Sequence, residues 1–336
     1  MVGGPAKMKK IAILEPGAWG TALGIILSKR NKVSFRYKDK NLERKIFQFR
    51  ENEKLPKIKI PQEIFISSDL EKVTQSAELI IVASPSFSFR ETLSELNKFD
   101  KLPPILGIAK GIEKETLKFP SQIVKEILPA ITYAHLSGPG FAREVARGKE
   151  TREVIASENG NLLKKLRVLF KIKPLKIFIT DDLIGVQLAG AMKNSLAIGI
   201  SLTEAASFNS KSKKNQSELI KLGLKEMISL GRVIGGKEKT FSGPAGLGDL
   251  ILTSTDSLSR NFQFGKKLYL DAEKMRKEIK ERKITVEGFD TVFALHKIGK
   301  IYKLNLPMVN EIYKLIYNKI SPQKAAENLI KLAKIR

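Results

Sequence analysis

Lys10-Ile11-Ala12-Ile13-Leu14-Glu15-Pro16-Gly17-Ala18-Trp19-Gly20-Thr21-Ala22-Leu23 is the stretch on which the fold turns. An apolar run of strand length enters a turn and leaves it as a small-residue segment of helical period. That is the order of a phosphate-binding βα turn, in which the free N–H groups of a helix N-terminus face a pyrophosphate. Gly17 and Gly20 stand at the second and third glycine positions of the G-x-G-x-x-G pattern. The first is missing. Glu15 occupies it, Pro16 removes a backbone donor, and a carboxylate close to a pyrophosphate would repel it.

Working outward, β-branched runs at 10–14, 32–37, 64–67, 79–83, 105–109 and 131–136 alternate with segments of helical period such as 19–30 and 87–96. Short runs at 154–156 and 177–179 add two more strand candidates. Alternation of this kind predicts a parallel sheet with helices on both faces. After Asp181 strand signals almost vanish. The expected architecture is an α/β, Rossmann-like doubly wound N-terminal domain over residues 9–180, followed by an all-helical C-terminal domain over 181–336. Within the latter, Ser242-Gly243-Pro244-Ala245-Gly246-Leu247-Gly248-Asp249 reads as an ordered loop. Phe208 to Leu219 reads as a connection, and Met1 to Met8 as an extension before the first strand.

Composition narrows the chemistry. The 336 residues are 42% hydrophobic and 28% charged, which describes a globular protein of about two domains. There is no cysteine, so thiol catalysis and disulfides are excluded, and with only His135 and His296 as imidazoles no metal site is expected. A general acid or base is then sought among Lys, Asp, Glu and Tyr. The formal charge is +25, but the lysines are spread along the chain, so the field favours a small anionic substrate and no nucleic acid is expected as partner. No secretory h-region precedes Ile11, and the apolar segment 183–206 is interrupted by Gln187, Lys193, Asn194, Thr203 and Glu204. It reads as a buried central helix, with no membrane insertion and a cytoplasmic location. A homodimer is an open option.

Lys193 is the notable residue of that helix. An ammonium among small apolar neighbours either snorkels to a solvated side of the helix or needs a partner or a ligand, and in the second case desolvation lowers its pKa toward proton-transfer chemistry. At the end of the second strand, Arg36-Tyr37-Lys38 stands where NAD sites usually offer a carboxylate to the adenosine ribose; it reads either as a basic surface turn or as a site that permits a 2′-phosphate and hence NADP.

Several motifs, in order along the chain, resemble those of bacterial NAD(P)-dependent glycerol-3-phosphate dehydrogenase. They are Gly17-Ala18-Trp19-Gly20-Thr21-Ala22, Ser84-Pro85-Ser86, Ala109-Lys110-Gly111-Ile112-Glu113, Leu136-Ser137-Gly138-Pro139-Gly140-Phe141-Ala142, Gly190-Ala191-Met192-Lys193-Asn194, Ala245-Gly246-Leu247-Gly248-Asp249-Leu250 and Leu258-Ser259-Arg260-Asn261. The resemblance implies NAD(P)H-dependent reduction of dihydroxyacetone phosphate to sn-glycerol 3-phosphate, supplying glycerophospholipid synthesis, with NAD or NADP as cofactor.

It also implies roles. Lys193 resembles the catalytic acid/base, and Lys110 the lysine between cofactor and substrate. Asp249 matches the acidic residue near the substrate hydroxyls. Ser259, Arg260 and Asn261 fall on the phosphate-binding positions, and Gly138 and Gly140 on further substrate positions. Gly17, Ala18, Trp19, Gly20, Lys38, Lys110, Ala142, Arg260, Thr285 and Glu287 match cofactor-side positions. Two lysines converging on one site would each depress the other's pKa. Departures from the pattern are Glu15-Pro16, Gly140 in place of the usual Ser or Thr, Pro244, and the connection Phe208 to Leu219, which is longer than the family's loop and lacks its Gly-Asp-Asn pattern. Glu15 supports an alternative, a degenerate homologue that binds cofactor poorly and serves as a binding or regulatory protein. A third option, a dehydrogenase of another small 2-hydroxy acid, is disfavoured by Arg260-Asn261.

Overall fold

The computed structural model describes residues 9–206, 212–281 and 283–334. Met1–Met8 and the Phe208–Lys211 part of the expected connection lie outside them. The chain folds as two compact units, each with its own apolar core. One comprises residues up to Ala109, Ser121–Leu136 and Gly140–Asp181; the other comprises Lys110–Pro120, Ser137–Pro139 and everything from Asp182 on.

The first unit is built on one eight-stranded sheet: β1 (Lys10–Leu14), β2 (Lys32–Arg36), β3 (Phe65–Ser67), β4 (Leu79–Val82), β5 (Ile105–Gly107), β6 (Tyr133–Ser137), β7 (Thr151–Ala156) and β8 (Leu175–Thr180), in the order β3-β2-β1-β4-β5-β6-β7-β8. β1 pairs in parallel with both β2 and β4, so the strand order reverses at β1, and ligands of such sheets bind at the carboxyl ends of the strands beside that reversal. β1 and β4 are apolar on both faces, as a sheet covered on both sides requires. β7 and β8 run longer than their apolar cores suggest. In β7 the buried Glu153 interrupts the hydrophobic run, and in β8 the exposed Lys176 does so.

Among its described residues the second unit is helical from Asp182 on. Its centre is the helix Leu183–Ala206, started by Asp182, whose carboxylate accepts from Gly185 N at 2.9 Å. This helix is long and apolar enough to cross a membrane, yet it is buried by helices Ser212–Val233, Asp249–Thr255, Arg260–Leu270, Glu287–Ile301 and Pro322–Leu332. Ser212–Val233 takes up most of the stretch expected as a connection; its polar start, Lys213 to Glu218, carries no apolar period, and burial begins at Leu219.

Candidate active site

In the first unit, helix Ala18–Ser28 begins at Gly17, which is extended and makes no side-chain cap. The first N–H groups of the helix are therefore left for a ligand. A Cβ on Gly17 would meet nothing within 4 Å, whereas one on Gly20 would lie 2.7 Å from the Ala83 Cβ. Gly20 thus lets the helix press against the end of β4, the packing task of the third fingerprint glycine. Open space at one glycine, close packing at the other and an uncapped helix end fit a dinucleotide pyrophosphate. Trp19, in the first turn of this helix, reaches Gly140, its Nε1 donating to Gly140 O at 3.1 Å.

Glu15 does take the missing glycine's conformation, with φ +52°. That is the left-handed region glycine enters without strain and glutamate does not. Its carboxylate is not loose beside the turn, where the sequence puts it against a pyrophosphate, but is fastened to the end of β2. Oε1 accepts from Arg36 Nη1 at 2.7 Å and from Lys38 N at 2.9 Å. Burial pushes this carboxyl above its ordinary range, with Arg36 and the Lys38 N–H opposing the shift. Lys38 itself extends to Glu91 and Glu95.

The second unit holds the charged cluster. Lys193, only 6% exposed, comes from the middle of the central helix, and Asp249, 1% exposed, opens helix Asp249–Thr255. What precedes Asp249 is a single π-helical turn, Pro244–Gly248, where a loop was expected. Pro244 starts the turn, and Gly246 permits a Cβ-free approach, since a Cβ there would lie 2.1 Å from Phe241 O. The Asp249 carboxylate is shared. Lys193 Nζ bonds to Oδ1 and Lys110 Nζ to Oδ2, the latter at 2.8 Å. Lys193 also donates to Thr253 Oγ1 at 2.8 Å, and Lys110 to Gly138 O at 2.9 Å. The lysine that the apolar helix could not leave unpartnered has found a carboxylate, as the cost of an isolated buried charge demands.

A neutral layer backs the charges. Asn194 Nδ2 donates to Lys110 O at 3.2 Å, and Asn261 Nδ2 donates to Asn194 Oδ1 at 2.9 Å. Asn261 Oδ1 in turn accepts from Gly288 N at 3.2 Å. Gly288 has to be glycine, because a Cβ would sit 2.6 Å from Asn194 backbone atoms. Beside it, Glu287 accepts from the Lys110 N–H. Burial raises its pKa, opposed by the charges of Arg260, Lys110 and Lys193.

Of the residues picked from sequence, Lys110, Gly138, Lys193, Asp249, Arg260, Asn261 and Glu287 thus gather in one unit. Ser259 serves there as the cap of helix Arg260–Leu270, accepting from Phe262 N at 3.2 Å, while Arg260 is exposed. Gly17, Ala18, Trp19, Gly20, Lys38, Gly140 and Ala142 lie in the other unit. Thr253 and Asn194 were not picked. Thr253 had a signal, since four residues after Asp249 on a helix puts both on one face.

Sequence models of two halves of one family match this chain: the N-terminus of NAD-dependent glycerol-3-phosphate dehydrogenase over residues 10–163 and its C-terminus over 182–327. The chain belongs to that family. It is 34% identical to the glycerol-3-phosphate dehydrogenase [NAD(P)+] of Thermoanaerobacter sp. (strain X514), with 96% of each chain covered. It is 36% identical to that of Legionella pneumophila (strain Corby), covering 96% of this chain and 97% of the relative. The crystal structure of glycerol-3-phosphate dehydrogenase from Coxiella burnetii superposes with a TM-score of 0.90 at 29% identity, covering 96% of this chain and 99% of the other. The enzyme from Saccharomyces cerevisiae shares the fold, at TM-score 0.79 and 21% identity.

Proposed function

We propose that Lys193 is the acid/base of the reaction this family membership brings to the chain, NAD(P)H-dependent reduction of dihydroxyacetone phosphate to sn-glycerol 3-phosphate for glycerophospholipid synthesis. The observation that carries the proposal is the pair of lysines on the single carboxylate of Asp249. When bound, the nicotinamide cofactor supplies the hydride. Reduction places negative charge on the ketone oxygen, and Lys193 hydrogen-bonds that oxygen and then protonates it. Asp249 and Thr253 aim the ammonium, and Lys110 keeps the site net cationic for an anionic substrate. Arg260 grips the phosphate through its planar fork, assisted by Ser259 and Asn261, with Gly138 and Gly140 lining the substrate.

In the same proposal residues 9–180 bind the dinucleotide, through Gly17, Ala18, Trp19, Gly20, Lys38 and Ala142, and residues 181–336 form the catalytic domain, with Lys110–Pro120 and Ser137–Pro139 of the first stretch folded into it. Lys110, Arg260, Thr285 and Glu287 complete the cofactor side. The degenerate-homologue alternative rested on the Glu15 charge, and the Arg36 ion pair at 2.7 Å removes much of that support. The enzyme acts in the cytoplasm as a homodimer, an assembly that sedimentation of the purified protein tests. Activity is tested by following NADH and NADPH oxidation with dihydroxyacetone phosphate and, in parallel, with an unphosphorylated 2-keto acid. Turnover of the keto acid at an equal kcat/KM would transfer the proposal to the 2-hydroxy-acid class.

A further inference from the structure

In sheets of this strand order the adenosine ribose is normally read by an acidic side chain at the end of the second strand, which accepts from the 2′-hydroxyl. Here β2 ends in Arg36, followed by Tyr37 and Lys38, and none of the three supplies a carboxylate. The Tyr37 hydroxyl is buried against Asn52. Asp39, the next residue, caps helix Lys40–Phe49 by accepting from Asn41 N at 2.7 Å, and the carboxylate held on the Lys38 backbone N–H is that of Glu15. Its backbone N–H bonds to Arg36 O at 2.9 Å, tying the end of β1 to the end of β2. Its Oε1 is held by Arg36 Nη1 and Lys38 N. Its Oε2 makes no hydrogen bond among the described residues, and the side chain is 25% exposed.

We propose that Glu15, reaching over from β1, accepts the adenosine 2′-hydroxyl and makes this chain select NADH over NADPH. The proposal rests on the assignment of helix Ala18–Ser28 as the cofactor cradle and names the discriminating residue of that site. The surrounding charges act in the same direction. Arg36 joins Glu15 and Glu95, and Lys38 joins Glu91 and Glu95, so this linked cluster sets three carboxylates against two cations. The cations expected from sequence to welcome a 2′-phosphate are both engaged by carboxylates. A phosphate entering here would meet Glu15 across little solvent, and like charges at such range repel strongly. The left-handed φ of Glu15 is the backbone strain that this placement retains.

The test is direct binding of each cofactor, by titration calorimetry and by energy transfer from Trp19, the single tryptophan of the chain, to the nicotinamide. The parent protein is expected to bind NADH at least about tenfold more tightly than NADPH. Glu15→Gln, which keeps the size of the side chain, is expected to bring the two affinities within about threefold by improving NADPH. Melting temperatures of both proteins guard against a folding artefact. Equal affinities in the parent, or an unchanged preference in Glu15→Gln, would overturn the proposal alone. Failure of both cofactors to bind the folded parent would overturn it together with the cradle assignment.

Discussion

Lys193 is bonded to Asp249 across 56 positions of sequence, from the middle of one buried helix to the first residue of another. Replacing Lys193 with Ala removes the group placed to protonate the alkoxide. The rate of ketone reduction is expected to fall by about 10²–10⁴-fold while NADH affinity stays nearly unchanged. A kcat within about tenfold of the parent would remove Lys193 from the acid/base role.

Asp249→Asn has a different signature. It leaves two ammonium groups in a site with 1% exposure at its centre and no carboxylate between them. Breaking a buried ion pair from one side costs about 3–5 kcal/mol, so urea unfolding should show a loss of that size in addition to lost turnover. Retained stability would show that the lysines rearrange into solvent.

Arg260→Leu tests the substrate side. Losing a charge-assisted phosphate contact of about 1.5–3 kcal/mol should raise the KM for dihydroxyacetone phosphate at least about tenfold. An unchanged KM would place the phosphate elsewhere.

Gly140 is confined by its own unit. A Cβ there would lie 2.7 Å from both Glu153 Oε1 and Thr151 Oγ1. Gly140→Thr, which restores the residue type usual in the family, should therefore destabilise this chain by about 1–3 kcal/mol. Adding Glu153→Val should recover part of the loss, since it clears one of the two crowding oxygens. Additive effects in this double-mutant cycle would separate the two positions.

Glu226 gives a pH signature. Its carboxylate accepts from Met308 N at 2.6 Å and Val309 N at 3.1 Å, at the start of helix Pro307–Ile316. Burial nonetheless pushes its pKa up to about 7 from 4.5. The native state then holds the proton more tightly than the unfolded chain. The corresponding stability is complete below about pH 4.5 and is lost as pH rises to about 7. Urea midpoints of the parent should fall across that window, and those of Glu226→Gln should fall less. Parallel profiles would assign the slope to other groups.

What was legible in the sequence follows from what each signal needs. β1 could be read to the residue because four consecutive buried apolar side chains follow Lys10. β7 could not, because Thr151, Arg152 and Glu153 look like a loop until Glu153 is seen buried beside the Thr151 hydroxyl at 3.0 Å. Lys193 announced itself as a cation on an apolar helix. Thr253 was legible only as a residue sharing a helix face with Asp249, while its bond to Lys193 and the fastening of Glu15 to Arg36 depend on side-chain directions across 60 and 21 positions, which no local period encodes.

Lys110 and the residues up to Pro120 precede much of the sheet in sequence, yet they fold into the helical unit, as do Ser137–Pro139. The two bodies are therefore not separable by one cut. A chimera that exchanged only residues 182–336 with a relative would combine one parent's Lys193 and Asp249 with the other's Lys110 and Gly138. A modular swap of this enzyme has to move three pieces of chain together, and drift in the two short pieces is constrained by partners encoded far downstream.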